Sequence, residues 1–255
     1  MLLIETRYWR YALYRGYLNL VADASRYYLG WLWWVLEPLA MTAVFYFVFK
    51  YLRPRDEGFI YFLIVGVTTW LWFSGGVGNA TQTLTGARNL ILQLKVPKLM
   101  FPLISVIAVT YKQAFVFLIL LLVVGTIVGV SPVWVALPAV IATQLLLIVA
   151  GAVTAAFLCV WLPDLRFVVA SLLQLMMFCS GVFFEIESFP EAVQGWFRLN
   201  PMAVMLEQYR TVLLDQALPD FVWCASVAAA CAVWILLLDI AYKRWDQELT
   251  RRIIA

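Results

Sequence analysis

Long runs of apolar residues, separated by short polar segments, fill the chain from about residue 33 to residue 242. A helix needs roughly 20 mostly apolar residues to cross a bilayer. The pattern predicts spanning helices over 33–52, 60–80, 103–129, 134–162, 167–184 and 221–242. The third and fourth runs are long, so we expect these helices to tilt or protrude. We therefore predict an all-α integral membrane protein with six transmembrane helices, formed by a single transmembrane domain over residues 1–255.

The N-terminal segment 1–26 has a different pattern, in which apolar side chains share one helical stripe and cations lie away from it. The stripe consists of Leu2, Trp9, Leu13 and Leu20, with Tyr17 beside it, and the cations are Arg7, Arg10 and Arg15. Such a helix lies in the membrane interface, with its arginines directed toward phosphates. The alternative is a cytosolic helix packed on a partner protein.

The segment 185–220, between the last two runs, is acidic and contains Pro190, Pro201 and Pro219. Its pieces 190–198 and 201–214 are too short to span a bilayer, and Pro201 suits the first turn of a second helix. We predict a re-entrant pair of short helices, because residues 202–206 form an apolar run. An ordinary external loop with two surface helices is the alternative.

The distribution of lysine and arginine predicts the orientation, because loops on the cytoplasmic side hold an excess of both. The termini and the loops on their side hold Arg7, Arg10, Arg15, Arg26, Arg88, Lys95, Lys98, Arg166, Lys243, Arg244, Arg251 and Arg252. The opposite side holds fewer, namely Lys50, Arg53, Arg55, Arg198 and Arg210. Both termini are therefore expected in the cytoplasm.

Composition supports the membrane class and excludes several others. Apolar residues make up 65% of the chain and charged residues only 13%, whereas soluble domains carry about 25% charged residues. A net charge of +3 gives no reason to expect nucleic acid. The chain has no histidine, which excludes histidine-based catalysis, and no Gly-Lys dipeptide, which excludes a phosphate-binding loop. We expect no cofactor in this chain; if the protein moves a substrate uphill, a partner subunit must bind ATP and Mg²⁺ and hydrolyse the nucleotide.

Aromatic residues are the first candidate for a substrate path, since sugar rings pack on aromatic faces. They lie at the start of the first span and inside the second: Tyr27, Tyr28, Trp31, Trp33, Trp34, Trp70, Trp72 and Phe73. An aromatic belt at the membrane interface is the alternative for many of them. Trp70, Trp72 and Phe73 fall near mid-span, where a belt has no reason to be.

The cytoplasmic segment 86–98 is the second candidate. It combines a short apolar helix with cations and a proline, and its predicted coupling residues are Arg88, Asn89, Leu90, Ile91, Leu92, Lys95 and Pro97. A helix in the membrane plane there could insert into a cleft on a cytosolic partner. The alternative is a plain cationic loop.

Four motifs resemble the membrane subunits of type-2 ABC exporters of polysaccharides, the family that exports O-antigen, capsule and teichoic acid. Residues 27–39 are similar to the family's L-G-x-L-W-x-x-L-x-P-L start, and 89–97 to its N-L-I-x-K-x-x-F-P segment. Residues 163–166 lie where the family has F-x-R-D-L, with the order of arginine and aspartate changed. Residues 199–210 are similar to L-N-P-[ML]-x-x-[LI]-[IV]-E-x-[YF]-R and are the most specific match.

This resemblance implies a homodimer in a bacterial cytoplasmic membrane, bound to two ATP-binding cassette subunits. Segment 86–98 would couple ATP hydrolysis to transport, and residues 1–20 together with the turn at 31–38 would shape a lateral opening for the lipid end of the substrate. A lipid-linked polysaccharide would pass between the two copies. The external gate would include Asn200, Pro201, Glu207, Tyr209 and Arg210.

Two other functions stay open at this point. A type-2 exporter of small hydrophobic compounds would use the same aromatics to line a closed pocket. A membrane enzyme of polysaccharide assembly would need a catalytic group, for which the external Glu185, Glu187 and Glu191 are the available carboxylate cluster.

Overall fold

The computed structural model of the chain describes residues 6–26, 28–52, 58–93 and 96–254. Its helices are α1 (Thr6–Ser25), α2 (Leu32–Leu52), α3 (Phe59–Ala80), α4 (Thr83–Gly86), α5 (Arg88–Gln93), α6 (Met100–Ile127), α7 (Leu137–Trp161), α8 (Leu165–Cys179), α9 (Glu191–Arg198), α10 (Pro201–Leu213), α11 (Phe221–Arg244) and α12 (Asp246–Ile254). Short 3-10 turns at Pro132–Ala136 and Ile186–Ser188 precede α7 and α9. The predicted all-α class is confirmed.

Five of the described helices are long and apolar enough to cross a membrane. They are α2, α3, α6, α7 with its preceding 3-10 turn, and α11. Helix α8, the predicted fifth span, is apolar but has only 15 residues. The chain is therefore a multi-pass membrane protein with these long helices as its framework.

Helix α3 lies at the centre of the fold and contacts α2, α6, α7, α8 and α10. Small residues on α3 permit close packing, since a Cβ at Gly76 would lie 2.3 Å from the Ile148 side chain on α7. Trp70 and Leu63 on α3 are among the largest fully buried side chains. The main core thus surrounds α3, and the ends of this helix reach both ends of the bundle.

Helix α1 packs along α6 through small residues instead of its apolar stripe. Ala12 is fully buried, and a Cβ at Gly16 would lie 2.6 Å from the Ile107 side chain. Trp9, Leu13 and Tyr17, which belong to or flank the predicted stripe, are exposed. These three side chains stay available to a membrane surface, while the neighbouring face with Ala12 and Gly16 anchors the helix. Leu20 of the stripe is half-buried, and Leu2 lies outside the described residues.

The predicted end of the fifth span at residue 184 is wrong, because α8 ends at Cys179. Gly181 follows with φ +72°, a left-handed conformation that favours glycine and ends the helical path. Segment 86–98 contains the short helix α5, which ends at Gln93, and Pro97 stands outside regular structure. Proline opposes helix, so its position suits the expected stop.

The pair of helices α9 and α10 follows the predicted division at Asn200 and Pro201. The Asn200 side chain accepts a hydrogen bond from the Met202 N–H at 3.0 Å, which caps the first turn of α10. Pro201 occupies the first turn, where its missing N–H costs no helical hydrogen bond. Helix α12, by contrast, was not predicted as a separate element.

Candidate functional site

The first candidate site is a cavity of about 620 Å³ between α1, α2, α3 and α6, here named the α1 cavity. Its polar lining consists of Asn19, Asp23, Glu37, Thr68, Ser74, Asn79, Ser105, Lys112 and Gln113. The lining comes from the second half of α1, the first half of α2, the middle and second half of α3, and the first two-thirds of α6. Because these parts meet at one end of the bundle, the cavity belongs to the end that carries α1.

An ion pair crosses the α1 cavity between two spanning helices. The Lys112 Nζ on α6 lies 3.1 Å from the Glu37 Oε2 on α2. Ionisable residues within transmembrane helices are costly, and they almost always pair and face a protein interior or a water-filled cavity. Both side chains are partly accessible, so the pair indicates a polar compartment within an otherwise apolar bundle.

The deep end of the α1 cavity is closed by a buried amide. Gln113 donates from its Nε2 to the Thr68 carbonyl oxygen at 3.2 Å, which links α6 to the middle of α3. Trp34 and Pro38 form part of the α2 wall. Proline has no N–H to donate, so the Trp34 carbonyl one turn earlier lacks its usual helical partner. This wall therefore combines an aromatic ring with an extra backbone acceptor.

The structure divides the predicted aromatic path into three groups. Trp34 lines the α1 cavity, while Tyr28, Trp31 and Trp33 lie on the exposed surface nearby. Trp70, Trp72 and Phe73 are buried in the core around α3, where the Trp72 indole donates to the Thr110 hydroxyl at 3.4 Å. Tyr27 lies outside the described residues. The assignment of these residues to a substrate path stays a prediction.

The second candidate site is a cavity of about 820 Å³ at the opposite end, here named the α10 cavity. The start of α3, the segment after α8 and α10 form its walls. Its charged lining residues are Glu185, Glu187, Glu207, Arg210 and Asp215. Glu191, the third member of the predicted carboxylate cluster, lies on α9 and is not part of this lining.

Arg210 is buried at the base of the α10 cavity and holds the turn after α8 in place. Its guanidinium donates to the Gly181 carbonyl at 2.8 Å and to the Val182 carbonyl at 3.0 Å. It also donates to the Phe62 carbonyl at 3.3 Å and stacks over the Phe62 ring. One side chain therefore ties α10 to α3 and to the segment that follows α8.

Gly66 makes room for this guanidinium. A Cβ at Gly66 would lie 2.5 Å from the Arg210 Nη2 and 3.2 Å from the Val182 carbonyl oxygen. The backbone of α3 can approach the guanidinium only because position 66 carries no side chain.

Burial shifts the pKa values of Arg210 and of the neighbouring Glu207. It lowers the pKa of the Arg210 guanidinium, and the nearby Glu185, Glu207 and Asp215 counteract that effect. Burial raises the pKa of the Glu207 carboxyl, which Arg198 opposes and Glu187 reinforces. Glu207 thus holds its proton more tightly than an ordinary glutamate.

The other predicted gate residues position α10. Asn200 donates from its Nδ2 to the Ser180 hydroxyl at 2.7 Å, next to the turn that Arg210 holds. Tyr209 is fully buried and packs edge-on against Phe117 of α6, with ring centroids 5.6 Å apart. Asn200, Pro201, Tyr209 and Arg210 therefore anchor α10, while Glu207 faces the cavity.

The predicted coupling segment has one exposed face and one packed face. Ile91 packs on the cluster of buried residues at the α1 end, whereas Arg88 and Asn89 are exposed and Leu92 is 57% exposed. Leu90 is half-buried beside a small cavity under α1, and Pro97 is exposed. Lys95 lies outside the described residues.

Helix α12 packs against the segment that follows α5. Lys98 is buried and forms an ion pair with Asp246, the first residue of α12. Leu249 and Ile253 of α12 are buried in the same cluster as Leu99 and Met100. The Arg252 guanidinium lies 4.3 Å from the Trp161 ring at the end of α7. The helix therefore connects the segment after α5 to the fourth long helix.

Sequence reasoning missed the partners in these sites, although it noted several of the residues. The pairing of Glu37 with Lys112 and that of Lys98 with Asp246 join distant parts of the chain. Asn19, Asn79 and Gln113 were not singled out, because single amides carry no signal in one sequence. Gly66 could have been suspected only from the density of small residues along α3.

Comparison with known proteins identifies the family. A family model described as ABC-2 type transporter matches residues 11–214. That range includes α5, α10, the whole lining of the α1 cavity and all of the α10 cavity lining except Asp215. The chain belongs to the ABC-2 type transporter family. Its members of this kind are membrane subunits of ABC transporters, so the polar cavities belong to a transport subunit.

Several curated relatives of this ABC-2 subunit cover most of its length. The O-antigen export system permease protein RfbA of Myxococcus xanthus is 29% identical over 251 residues, covering 94% of this chain and 96% of the relative. An O-antigen export system permease protein RfbA of Klebsiella pneumoniae is 25% identical, covering 74% of each chain. The polysialic acid transport protein KpsM of Escherichia coli is 23% identical, covering 88% of each chain.

Proposed function

We propose that this chain is the permease subunit of an ATP-driven exporter that moves a lipid-linked polysaccharide, of O-antigen or capsule type, across the bacterial cytoplasmic membrane. One observation carries the proposal: an O-antigen export permease aligns with 94% of this chain and over 96% of its own length. A shared function is more credible when the alignment leaves no large part of either chain unmatched.

The energy source is a separate subunit in this proposal. The chain has no glycine-rich phosphate loop, and membership in the ABC-2 family implies an ATP-binding partner that binds ATP and Mg²⁺. The exposed face of α5 supports this role, because Leu92 is an accessible leucine beside Arg88 and Asn89. An apolar anchor with a polar rim suits a protein interface. We place this face in a cleft of the ATP-binding subunit.

The topology has six spans and cytoplasmic termini, with α8 as the fifth span and the α9–α10 pair re-entering from outside. Lysine and arginine near α1, α5 and α12 support this orientation. Helices α9 and α10 have 8 and 13 residues, too few to cross a bilayer. The α10 cavity then faces outward and the α1 cavity faces the cytoplasmic side.

The working unit is a homodimer that meets through α2 and α8. The two helices touch through the Phe45 and Phe178 rings, whose centroids lie 6.4 Å apart. Their outer faces carry exposed apolar side chains, among them Leu39, Val44 and Val48 on α2 and Val168, Leu172 and Leu175 on α8. With 15 residues, α8 rises about 22 Å, less than the roughly 30 Å of hydrocarbon. Because α8 is too short to match the lipid hydrocarbon, its apolar face suits contact with a second copy of the chain better than contact with lipid.

In the dimer, the polymer passes between the two copies, and the Arg210-anchored α10 forms the external gate. The buried contacts of α10 hold it against α3 and α7, and its Tyr209 also packs on Phe117 of α6. Opening therefore requires α10 to move together with these helices.

The test uses a polysaccharide-producing host in which the permease gene is deleted and then restored. We expect polymer to disappear from the cell surface and to accumulate inside, with recovery on restoration of the gene. Sensitivity to small hydrophobic compounds should stay unchanged. Normal surface polymer in the deletion strain, or a change in compound sensitivity alone, would contradict the proposal and favour an exporter of small compounds.

A further inference from the structure

We propose that the α1 cavity is a binding site for sugar rings of the exported polymer, held within one copy of the permease. The inference rests on the proposed function, since that function supplies a saccharide at this membrane. It adds a site inside each subunit, separate from a path between two subunits.

The lining of the cavity matches a polyol. A sugar ring presents hydroxyl groups that both donate and accept hydrogen bonds, together with apolar C–H faces. Asn19, Asn79, Ser74 and Ser105 line the cavity, and amides and hydroxyls likewise both donate and accept. The Trp34 ring on the same wall offers the apolar surface and a polar edge. Ligand sites combine an aromatic or apolar wall with a few placed polar groups in this way.

The charges of the cavity disfavour an anionic ligand. Lys112 is already paired with Glu37 at 3.1 Å, and Asp23 adds a further carboxylate to the lining. Sites for phosphate use clusters of arginine or lysine that are free to form charge-assisted hydrogen bonds. The α1 cavity therefore suits a neutral sugar better than the diphosphate of a lipid carrier.

The position and size of the cavity fit the same ligand. Its volume of about 620 Å³ lies within the range of about 300–1,000 Å³ for small-molecule sites. Gln113, which is buried and bonded to the Thr68 carbonyl, closes it near the middle of α3. Tyr28 and Trp31 lie exposed at the same end of the fold, where an incoming polymer would meet aromatic rings first.

The test places a photo-cross-linking amino acid, p-benzoylphenylalanine, in the full-length permease in its polysaccharide-producing host. One variant carries it at Asn79 in the cavity and a second carries it at Ser105, so that a folding failure of one still leaves a test. The control carries it at Val222, which is 82% exposed on α11 and outside the cavity. After irradiation, the purified permease is probed with an antiserum against the host's own polymer.

We expect polymer-linked permease from Asn79 or Ser105 and none from Val222. The same strains are scored for surface polymer, which tests the proposed function separately. If export depends on the permease but neither cavity position gives adducts, the sugar site is overturned. The proposed export function is then still supported. The mass of the irradiated permease is also measured in a strain that makes no polymer. An adduct of the same mass there also overturns the sugar site, because it identifies a membrane lipid as the occupant.

A second measurement uses the reconstituted complex with its ATP-binding subunit and the host's purified lipid-linked polymer as the probe. Loss of one hydrogen bond costs about 1 kcal/mol, or about fivefold in affinity. We therefore expect Asn79→Leu to raise about fivefold the polymer concentration that gives half-maximal stimulation of ATP hydrolysis. An unchanged value for both Asn79→Leu and Ser105→Ala contradicts the site.

Discussion

Lys98 and Asp246, which are 148 positions apart in the sequence, form an ion pair beside the predicted coupling segment. The Lys98 side chain is 5% exposed and that of Asp246 is 56% exposed. The pair therefore fixes a buried ammonium between α5 and α6 by means of the C-terminal helix. Contacts of α12 with Lys98 and with Trp161 therefore connect the segment after α5 to α7.

We predict that Asp246→Asn uncouples transport from ATP hydrolysis. Removal of the carboxylate leaves the Lys98 ammonium without its partner. We expect this to lower the free energy of unfolding by about 1–2 kcal/mol. The loss is smaller than the roughly 3–5 kcal/mol of a fully buried pair, because Asp246 is half-exposed. Surface polymer should fall, while ATP hydrolysis by the complex continues. The exchanged pair Lys98→Asp with Asp246→Lys should restore part of the export. Export at the parental level in Asp246→Asn would show that the ion pair plays no part.

The Leu92 side chain is the exposed apolar contact expected to reach the ATP-binding subunit. Leu92→Glu should therefore reduce export on the order of tenfold, because a buried interface anchor dominates such contacts. Leu218→Glu is the matched control, since Leu218 is 65% exposed at the other end of the fold. Co-purification of the ATP-binding subunit measures the effect directly. Equal losses in the two variants would contradict a docking role for Leu92.

Gly66 and Arg210 should act on stability through one another. Arg210→Met leaves the Gly181 and Val182 carbonyls without their donors, and we expect a loss of about 2–4 kcal/mol in the free energy of unfolding. Gly66→Ala should also destabilise, because its Cβ displaces the guanidinium. In the double variant, the cost of Gly66→Ala should shrink, since the displaced group is absent. Thermal unfolding of the purified permease measures all three. Strict additivity would show that the two positions act independently.

Glu207 should make stability depend on pH. Its raised pKa means that the folded state binds the proton more tightly than the unfolded state. The free energy of unfolding therefore falls as pH rises from the ordinary value, roughly 4.3, through the raised pKa. Glu207→Gln removes this term, so we expect a higher melting temperature than the parent at about pH 8 and a smaller difference at about pH 4. A larger difference at the acidic pH would reverse the sign and contradict the assignment.

The predicted carboxylate cluster allows an exporter to be distinguished from an assembly enzyme. Exchange of Glu185, Glu187 and Glu191 for glutamine should leave export within about twofold of the parent, because none of them anchors α10 and surface changes usually have small effects. Polymer structure and chain length should also stay unchanged. Loss of polymer synthesis, with the permease still present in the membrane, would favour catalysis at this cluster.

Much of the architecture followed from apolar runs and breakers in the sequence. The second span was predicted over 60–80 and lies at Phe59–Ala80. Asn200 and Pro201 divided the external pair correctly, because a capping side chain and a first-turn proline act locally. The end of α8 was missed because Ser180–Phe184 continues the apolar run. There, Gly181 and the distant Arg210 decide the backbone path.

The sites were less predictable, because their contacts are long-range. Glu37 and Lys112 were both noticed, yet nothing in one sequence reveals that residues 75 positions apart form a pair. Arg210 was counted among external cations, although the fold buries it against backbone carbonyls. Trp70 and Trp72 were singled out for their depth in the membrane. That depth also coincides with the centre of the protein core, where the structure places them.

Helix α3 joins the two cavities as a mechanical lever. Its 22 residues extend about 33 Å, with the Phe62 carbonyl under the Arg210 guanidinium near one end and Asn79 in the α1 cavity near the other. A rigid tilt of about 10° about one end shifts the other by about 6 Å over this length. Binding at Asn79 and the contact between Phe62 and Arg210 thus lie at opposite ends of one rigid helix, so a tilt of α3 would change both.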